Sequence, residues 1–211
     1  MSDLSRVYWM GGSPCAGKST ICERLAEKYG LTYYCVDSHY EEHLARADGA
    51  RHPNAVRART LTWNEAFLRP VPELVQYEID FYHELIEFIV EDLTHLPNGR
   101  PVIAEGAALL PELVAPYLSD PRHGLWVVPT EAFQREHYAK RPWIHGILAE
   151  TRDPAQAFEN WMCRDARFAE HVRKGCAARG YEVIVVDGRA SLEENLRQAE
   201  AHFGFRTSPG V

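Results

Sequence analysis

The chain has 211 residues, 45% of them hydrophobic, enough for a sizeable core in one domain. Thirty Asp and Glu against 23 Lys and Arg leave a formal charge of −7, which argues against a general nucleic-acid binder, because phosphate-backbone affinity needs a cationic surface. Five scattered cysteines (15, 22, 35, 163 and 176) form no CxxC pair, and no apolar run suits a bilayer, so a reduced, cytoplasmic protein with no membrane partner is expected.

In chain order, apolar runs at Arg6–Met10, Thr32–Val36, Pro101–Gly106, Gly124–Pro129 and Tyr181–Gly188 read as five strands. Between them lie helical patterns. Lys18–Tyr29 places Ile21, Leu25 and Cys22 on one face. Trp63–Leu96 carries Tyr77, Phe81, Leu85, Phe88, Ile89 and Leu93 at three- and four-residue steps, with Pro70 and Pro72 expected to break or start a helix there. Asn98-Gly99 reads as a turn, Ser191 opens an amphipathic helix to Phe203, and the tail from Arg206 reads as frayed. This alternation predicts an α/β fold: about five parallel strands with helices on both faces. No repeat or linker divides the chain, so residues 1–211 are expected to form a single domain. In it, a substrate-binding insertion covers about residues 38–64 and a small lid about 138–158. In such sheets ligands collect at the carboxyl ends of strands, so the polar residues following each strand carry the functional expectation.

The first strand runs into Gly12-Ser13-Pro14-Cys15-Ala16-Gly17-Lys18-Ser19, which fits G-x-x-x-x-G-K-[ST], with Thr20 next in the helix. Such a loop turns successive backbone N–H groups onto one anion and adds the positive end of the following helix. Lys18 then reaches the β- and γ-phosphates, and the Ser19 hydroxyl can ligate Mg²⁺. Cys15, near a helix N-terminus, is expected to have a lowered thiol pKa, although its main role is a small filler.

Asp37 ends the second strand, placed to accept the proton of an acceptor hydroxyl or to cap the next turn. Glu105 ends the third, placed to hold Mg²⁺, with Gly106 letting the backbone pass close to a ligand. The segment from Ser38 to Asn64 holds His39, Tyr40, His43, Arg46, Arg51, His52, Arg57, Arg59 and Trp63, a mix suited to a polar or anionic small molecule. His39 and His43 form an i,i+4 pair if that turn is helical, but no third ligand supports zinc.

The loop at Gly12–Ser19, the Asp37-Ser38-x-Tyr40 element and Glu105-Gly106 resemble the P-loop small-molecule kinases, with the uridine kinase and chloramphenicol phosphotransferase group and the adenylate-kinase-like enzymes as the nearest comparisons. The stretch VVPTEAFQREHYAKR, Val127–Arg141, is similar to the strand and helix leading into the lid of adenylate-kinase-like enzymes. The resemblance implies that Arg135 stacks on adenine and that Lys140 and Arg141 meet the phosphates. It further implies that Arg164 and Arg167, joined by Arg152, close on the transferred group, and that the Asp187-Gly188 loop packs against the base.

The resulting expectation is transfer of the γ-phosphoryl of ATP to a small-molecule hydroxyl, with Lys18, Asp37 and Arg164 as catalytic residues and ATP and Mg²⁺ as cofactors. A nucleoside-monophosphate kinase is the near alternative, and an ATP-hydrolysing molecular switch is the alternative from another class. The acceptor, the choice between ATP and GTP, and the oligomeric state stay open at this level.

Overall fold

The computed structural model describes residues 4–97 and 99–205. The expected turn residue Asn98 and the tail from Arg206 lie outside them. Strand β1, Val7–Gly11, leads through the glycine-rich loop into helix α1, Lys18–Tyr29, and strand β2, Thr32–Cys35. A 3₁₀ turn at Val36–His39 continues into α2, Tyr40–Arg46, then α3, Pro53–Ala58, and α4, Trp63–Phe67. The long helix α5, Val71–His95, precedes β3, Val102–Glu105, and the short α6, Pro111–Val114. Strand β4, Gly124–Pro129, is followed by α7, Glu131–Ala139, α8, Pro142–Ala149, and α9, Pro154–Ala177. Strand β5, Glu182–Val186, and α10, Leu192–Phe203, complete the order.

The expected single stretch Trp63–Leu96 is two helices. Pro70 has no N–H to donate and disfavours a helical Arg69, so α4 stops and α5 restarts at Val71, with Pro72 in its first turn. The start of α10 is set by a capping box, in which Ser191 Oγ accepts the Glu194 N–H and Glu194 reaches back to the Ser191 N–H.

The five strands pair in parallel in the order β2-β3-β1-β4-β5. Alternation along each strand feeds two cores. Trp9, Val102, Ala104, Trp126 and Val128 pack with Phe81, Leu85, Phe88 and Ile89 of α5 and Phe168 and Val172 of α9. Met10, Ile103, Leu125, Val127 and Ile184 pack on the other face with Ile21 and Leu25 of α1 and Leu196 and Phe203 of α10. A one-residue slip would exchange these sets, so two apolar faces pin the register. The α/β class, the parallel sheet and the helices on both faces are as expected. Strand β1 lies between β3 and β4; the chain runs from β1 to the β2–β3 side and from β3 crosses to β4 on the other, so a crevice opens at the carboxyl end of β1. No helix among the described residues is long and apolar enough to cross a membrane.

A third apolar cluster stands apart from the sheet. Phe67 of α4, Tyr138 of α7, Ile144 and Leu148 of α8, and Ala157, Trp161 and Met162 of α9 pack together, with the Phe67 and Trp161 rings stacked at 4.2 Å. The segment 138–158 is therefore helical and seated on α4 and α9.

Candidate phosphate-binding site

The loop between β1 and α1 is held in a conformation that few sequences tolerate. Gly12 has φ +125°, and a Cβ there would sit 2.0 Å from the Val127 carbonyl oxygen of β4, so only glycine fits against the sheet. Cys15 adopts φ +67° without being glycine, and Gly17 enters the helix at φ +83°. The turn is closed internally: Lys18 Nζ donates to the Ser13 carbonyl at 2.8 Å, and Ser13 Oγ donates to the Asp165 carbonyl of α9 at 3.3 Å. Burial raises the Cys15 thiol above its ordinary value, and the smaller influence of Arg141 does not reverse this. The expected lowering is thus corrected: loss of water outweighs the nearby Arg141 and Lys18 charges.

Two adjoining cavities flank this loop. One, of about 340 Å³, is lined by Pro14 to Thr20 together with Asp37, Glu105, Gly106, Ala107 and Arg141. The other, of about 310 Å³, shares Cys15, Ala16, Gly17 and Arg141 and continues along Phe133, His137, Val186, Gly188, Leu192 and Asn195. Polar and charged groups surround the first, and rings and aliphatic groups dominate the second.

In the polar cavity, Glu105 is buried with its Oε1 accepting from Tyr33 Oη at 3.0 Å and Cys35 Sγ at 3.2 Å. Its Oε2 has no hydrogen-bond partner among the described residues. Asp37 sits in the 3₁₀ turn after β2, its side chain open at the cavity mouth. Partial burial among the walls, then the Glu105 charge, raise its carboxyl above the usual range, while Lys18 opposes them. Gly106 lines the same cavity, yet the space a Cβ would take there is filled by Val36 at 2.6 Å. The glycine is therefore required where the turn after β2 packs against the end of β3, a reason other than the expected ligand clearance.

The basic residues separate into those that reach the loop and those that do not. Arg141, at the start of α8, lines both cavities with its guanidinium 5.1 Å from the Tyr138 ring centroid. Arg135 is not at the base-sized cavity: it pairs with Glu131 and Glu159, each at 2.9 Å. Residues two apart on a helix point to opposite sides, so Phe133 and His137, four apart and stacked at 3.8 Å, line that cavity while Arg135 points away from it. Lys140 makes an exposed pair with Glu136, Arg152 and Arg167 are exposed, and Asp187 turns back to its own loop, whereas Gly188 lines the cavity.

Arg164 lies elsewhere again. Its Nε and Nη2 donate to Asp165 Oδ1 at 2.8 and 2.6 Å, and Nε lies 3.1 Å from Glu78 Oε2 of α5. Tyr82 donates to Glu78 and Tyr138 to Asp165, closing a buried cluster of one cation and two carboxylates. Burial works against the Arg164 charge, but Asp165 and Glu78 more than restore it. Glu78 is pushed up to about 7, chiefly by burial and against the pull of Arg164. The expectation that Arg164 faces the transferred group is corrected in this conformation: two carboxylates hold it.

Most charges of the 38–64 segment are also compensated. The pair His39 and His43 does lie on helical turns, with rings 5.9 Å apart, but His43 is buried and bonded to Asp92 at 2.6 Å. Arg46 pairs with Asp92 and Glu91, Arg51 and His52 meet Glu87, and Arg59 donates to the Leu44 and Ala47 carbonyls. These side chains fasten the segment to α5 and to itself.

Sequence reasoning missed Phe133, His137, Asn195 and the Glu78–Asp165 cluster. The i,i+4 spacing of Phe133 and His137 was the available signal. The carboxylate cluster joins residues 87 positions apart and had none.

No protein-family model and no curated protein matches the chain. Among solved structures, an uncharacterized protein from Eubacterium ventriosum is 14% identical, with 95% of this chain and 98% of that one covered and a TM-score of 0.44. A proposed kinase from Chloroflexus aurantiacus is 14% identical over 93% of this chain and 97% of that one, with a TM-score of 0.39. The NadR protein in complex with NR is 14% identical and matches 99% of this chain, which spans 53% of NadR, with a TM-score of 0.38.

Proposed function

We propose that the protein is an ATP-dependent phosphotransferase acting on a hydroxyl of a small molecule. One observation carries this reading: Lys18, Ser19, Asp37, Glu105 and Arg141 line a single cavity against the loop, beside a second cavity sized and lined for a flat ring. Phosphates fit the loop and the first turn of α1, where backbone N–H groups converge. The base fits along Phe133, His137 and Gly188.

Ser19 and Glu105 offer hard oxygen donors to that one cavity, which suits a cation that keeps most of its other positions for water and phosphate. When bound there, Mg²⁺ supplies charge neutralisation for the β- and γ-phosphates. Lys18 adds its charge beside them, and Arg141 reaches the loop from the lid side. Asp37 orients the acceptor hydroxyl and takes its proton as the acceptor oxygen bonds to the γ-phosphorus. The bond from that phosphorus to the bridging oxygen breaks, and ADP departs.

The test is ATP turnover against a metabolite panel, in the native protein and Lys18→Ala. ADP release should stay slow until an acceptor is present. The acceptor-dependent rate should fall at least about 10²–10³-fold in the variant, the usual consequence of removing a positioned charge from the transferred group, with the circular dichroism spectrum retained. Near-native turnover in Lys18→Ala, or turnover stimulated only by a macromolecule, would exclude this reading, the latter in favour of a switch.

A further inference from the structure

Two arginines, Arg57 in the acceptor-side segment and Arg69 just beyond it, have no anion and, unlike Arg59 with its two backbone carbonyls, are not otherwise fully satisfied. Arg57 of α3 and Arg69, in the link between α4 and α5, form no ion pair among the described residues, unlike Arg46 and Arg51 nearby. Both face the same ring: their guanidinium carbons lie 5.5 and 5.0 Å from the centroid of Tyr77. Arg69 Nε donates to the Glu65 carbonyl at 2.6 Å, but its Nη2 is buried and has no partner. Of the nearby acids, Glu65 is committed to its capping box with Thr62. Burial, then the neighbouring Arg57 charge, disfavour the charged form of Arg69 and outweigh the opposing influence of Tyr77, Glu73 and Glu65. Two like charges held over one ring, one with a dry and unpaired donor, are unfavourable without a counter-anion.

The position connects to the proposed reaction centre. Tyr77 stacks with Phe81 at 6.3 Å, and Phe81 meets Tyr40 at 6.0 Å. Tyr40 is one helical turn beyond Asp37 and 37% exposed, so an aromatic wall runs from the arginine pair towards the proposed base. Tyr77 Oη is already occupied, donating to the Asn54 carbonyl at 3.1 Å, and so serves as a fixed platform.

We infer that Arg57 and Arg69 form an oxyanion-binding subsite that holds the phosphate or carboxylate group of the acceptor while its hydroxyl faces Asp37. This rests on the phosphotransferase reading for its catalytic meaning, but the anion site itself stands on the arginine pair. The acceptor class is then a small molecule that carries both an anionic group and a free hydroxyl. Guanidinium suits this because its planar donors engage two oxygens at once.

The full chain, labelled with ¹⁵N in its arginines, is followed through its side-chain Nε–Hε signals, with and without a non-hydrolysable ATP analogue and Mg²⁺. Inorganic phosphate, acetate and neutral glycerol are titrated separately. Saturable shifts of both Arg57 and Arg69 are expected with phosphate or acetate and none with glycerol, while exposed Arg167 moves only in proportion to salt. A response to phosphate alone assigns a phosphorylated acceptor, and a response to acetate alone a carboxylic acid. Arg57→Gln, at an exposed and unpaired position, should weaken the Arg69 response about tenfold without lowering Tm, and Arg69→Gln should likewise weaken the Arg57 response. Absence of a saturable response to either anion overturns the subsite. Failure of the analogue to shift the Arg141 signal beside the loop overturns the phosphotransferase reading instead, and the Arg57 and Arg69 response is read independently of it.

Discussion

Two sets of charges adjoin the loop between β1 and α1, and they are wired in opposite ways. In the cavity, Lys18, Asp37, Glu105 and Arg141 face open space, each with fewer protein partners than it has donors or acceptors. Behind the loop, Glu78, Arg164 and Asp165 are packed against one another with Tyr82 and Tyr138 capping the remaining oxygens. Charge count does not separate them, since both contain carboxylates and a guanidinium. The difference lies in compensation. A charge already satisfied by protein stabilises or positions the fold, and one left open can be satisfied by a ligand. The same rule separates Arg57 and Arg69 from Arg46, Arg51 and Arg59.

Substitutions on each side of this division should behave differently. The largest catalytic effect among them belongs to Asp37→Asn, which keeps the shape but is a far weaker base. Its kcat should fall about 10²–10⁴-fold with nucleotide affinity little changed, measured by turnover and by titration of an ATP analogue. If Asp37 is the base, Asp37→Asn should also remove the acidic limb of the native pH–rate profile. A harmless Asp37→Asn would favour an acceptor already ionised at the attacking oxygen.

Arg164→Ala and Arg141→Ala form the next contrast. Removing Arg164 strands two buried carboxylates, so denaturant melts should show a loss of about 3–5 kcal/mol. Removing Arg141, half-buried and in no ion pair, should change stability by less than about 0.5 kcal/mol but lower acceptor-dependent turnover about 10²–10³-fold. Reversal of these outcomes would mean that Arg164 leaves its cluster in the catalytic state.

The smallest effect is a pH dependence of stability. Glu78 is raised to about 7 in the folded protein from an ordinary carboxylate value, so the folded state binds its proton more tightly than the unfolded chain. Its contribution is therefore complete below the unfolded value and is lost as pH rises through about 7. Glu78→Gln removes that titration while leaving the Arg164–Asp165 pair, so stability should decline less between pH 5 and 8 than in the native protein. An unchanged slope would place the titrating group elsewhere.

Much of the fold is legible in the sequence because it is local. Apolar runs of four to six residues marked all five strands, Ser191 with Glu194 marked the start of α10, and the Gly-x-x-x-x-Gly-Lys-Ser spacing marked the loop, since backbone conformation at Gly12 and Gly17 depends on residue type there. The strand-end positions of Asp37 and Glu105 followed from the same reading. Which arginine reaches the loop did not. Arg135, Arg141 and Arg164 share charge and region, and their fates depend on whether Glu131 and Glu159, Tyr138, or Glu78 and Asp165 lie beside them after folding. The residue sequence by itself determined the five strands, the first and last helices, the presence of helices on both faces and the glycine-rich loop. Only the tertiary structure decided which charges are cancelled and which stay open, because compensation is set by neighbours far apart in the chain.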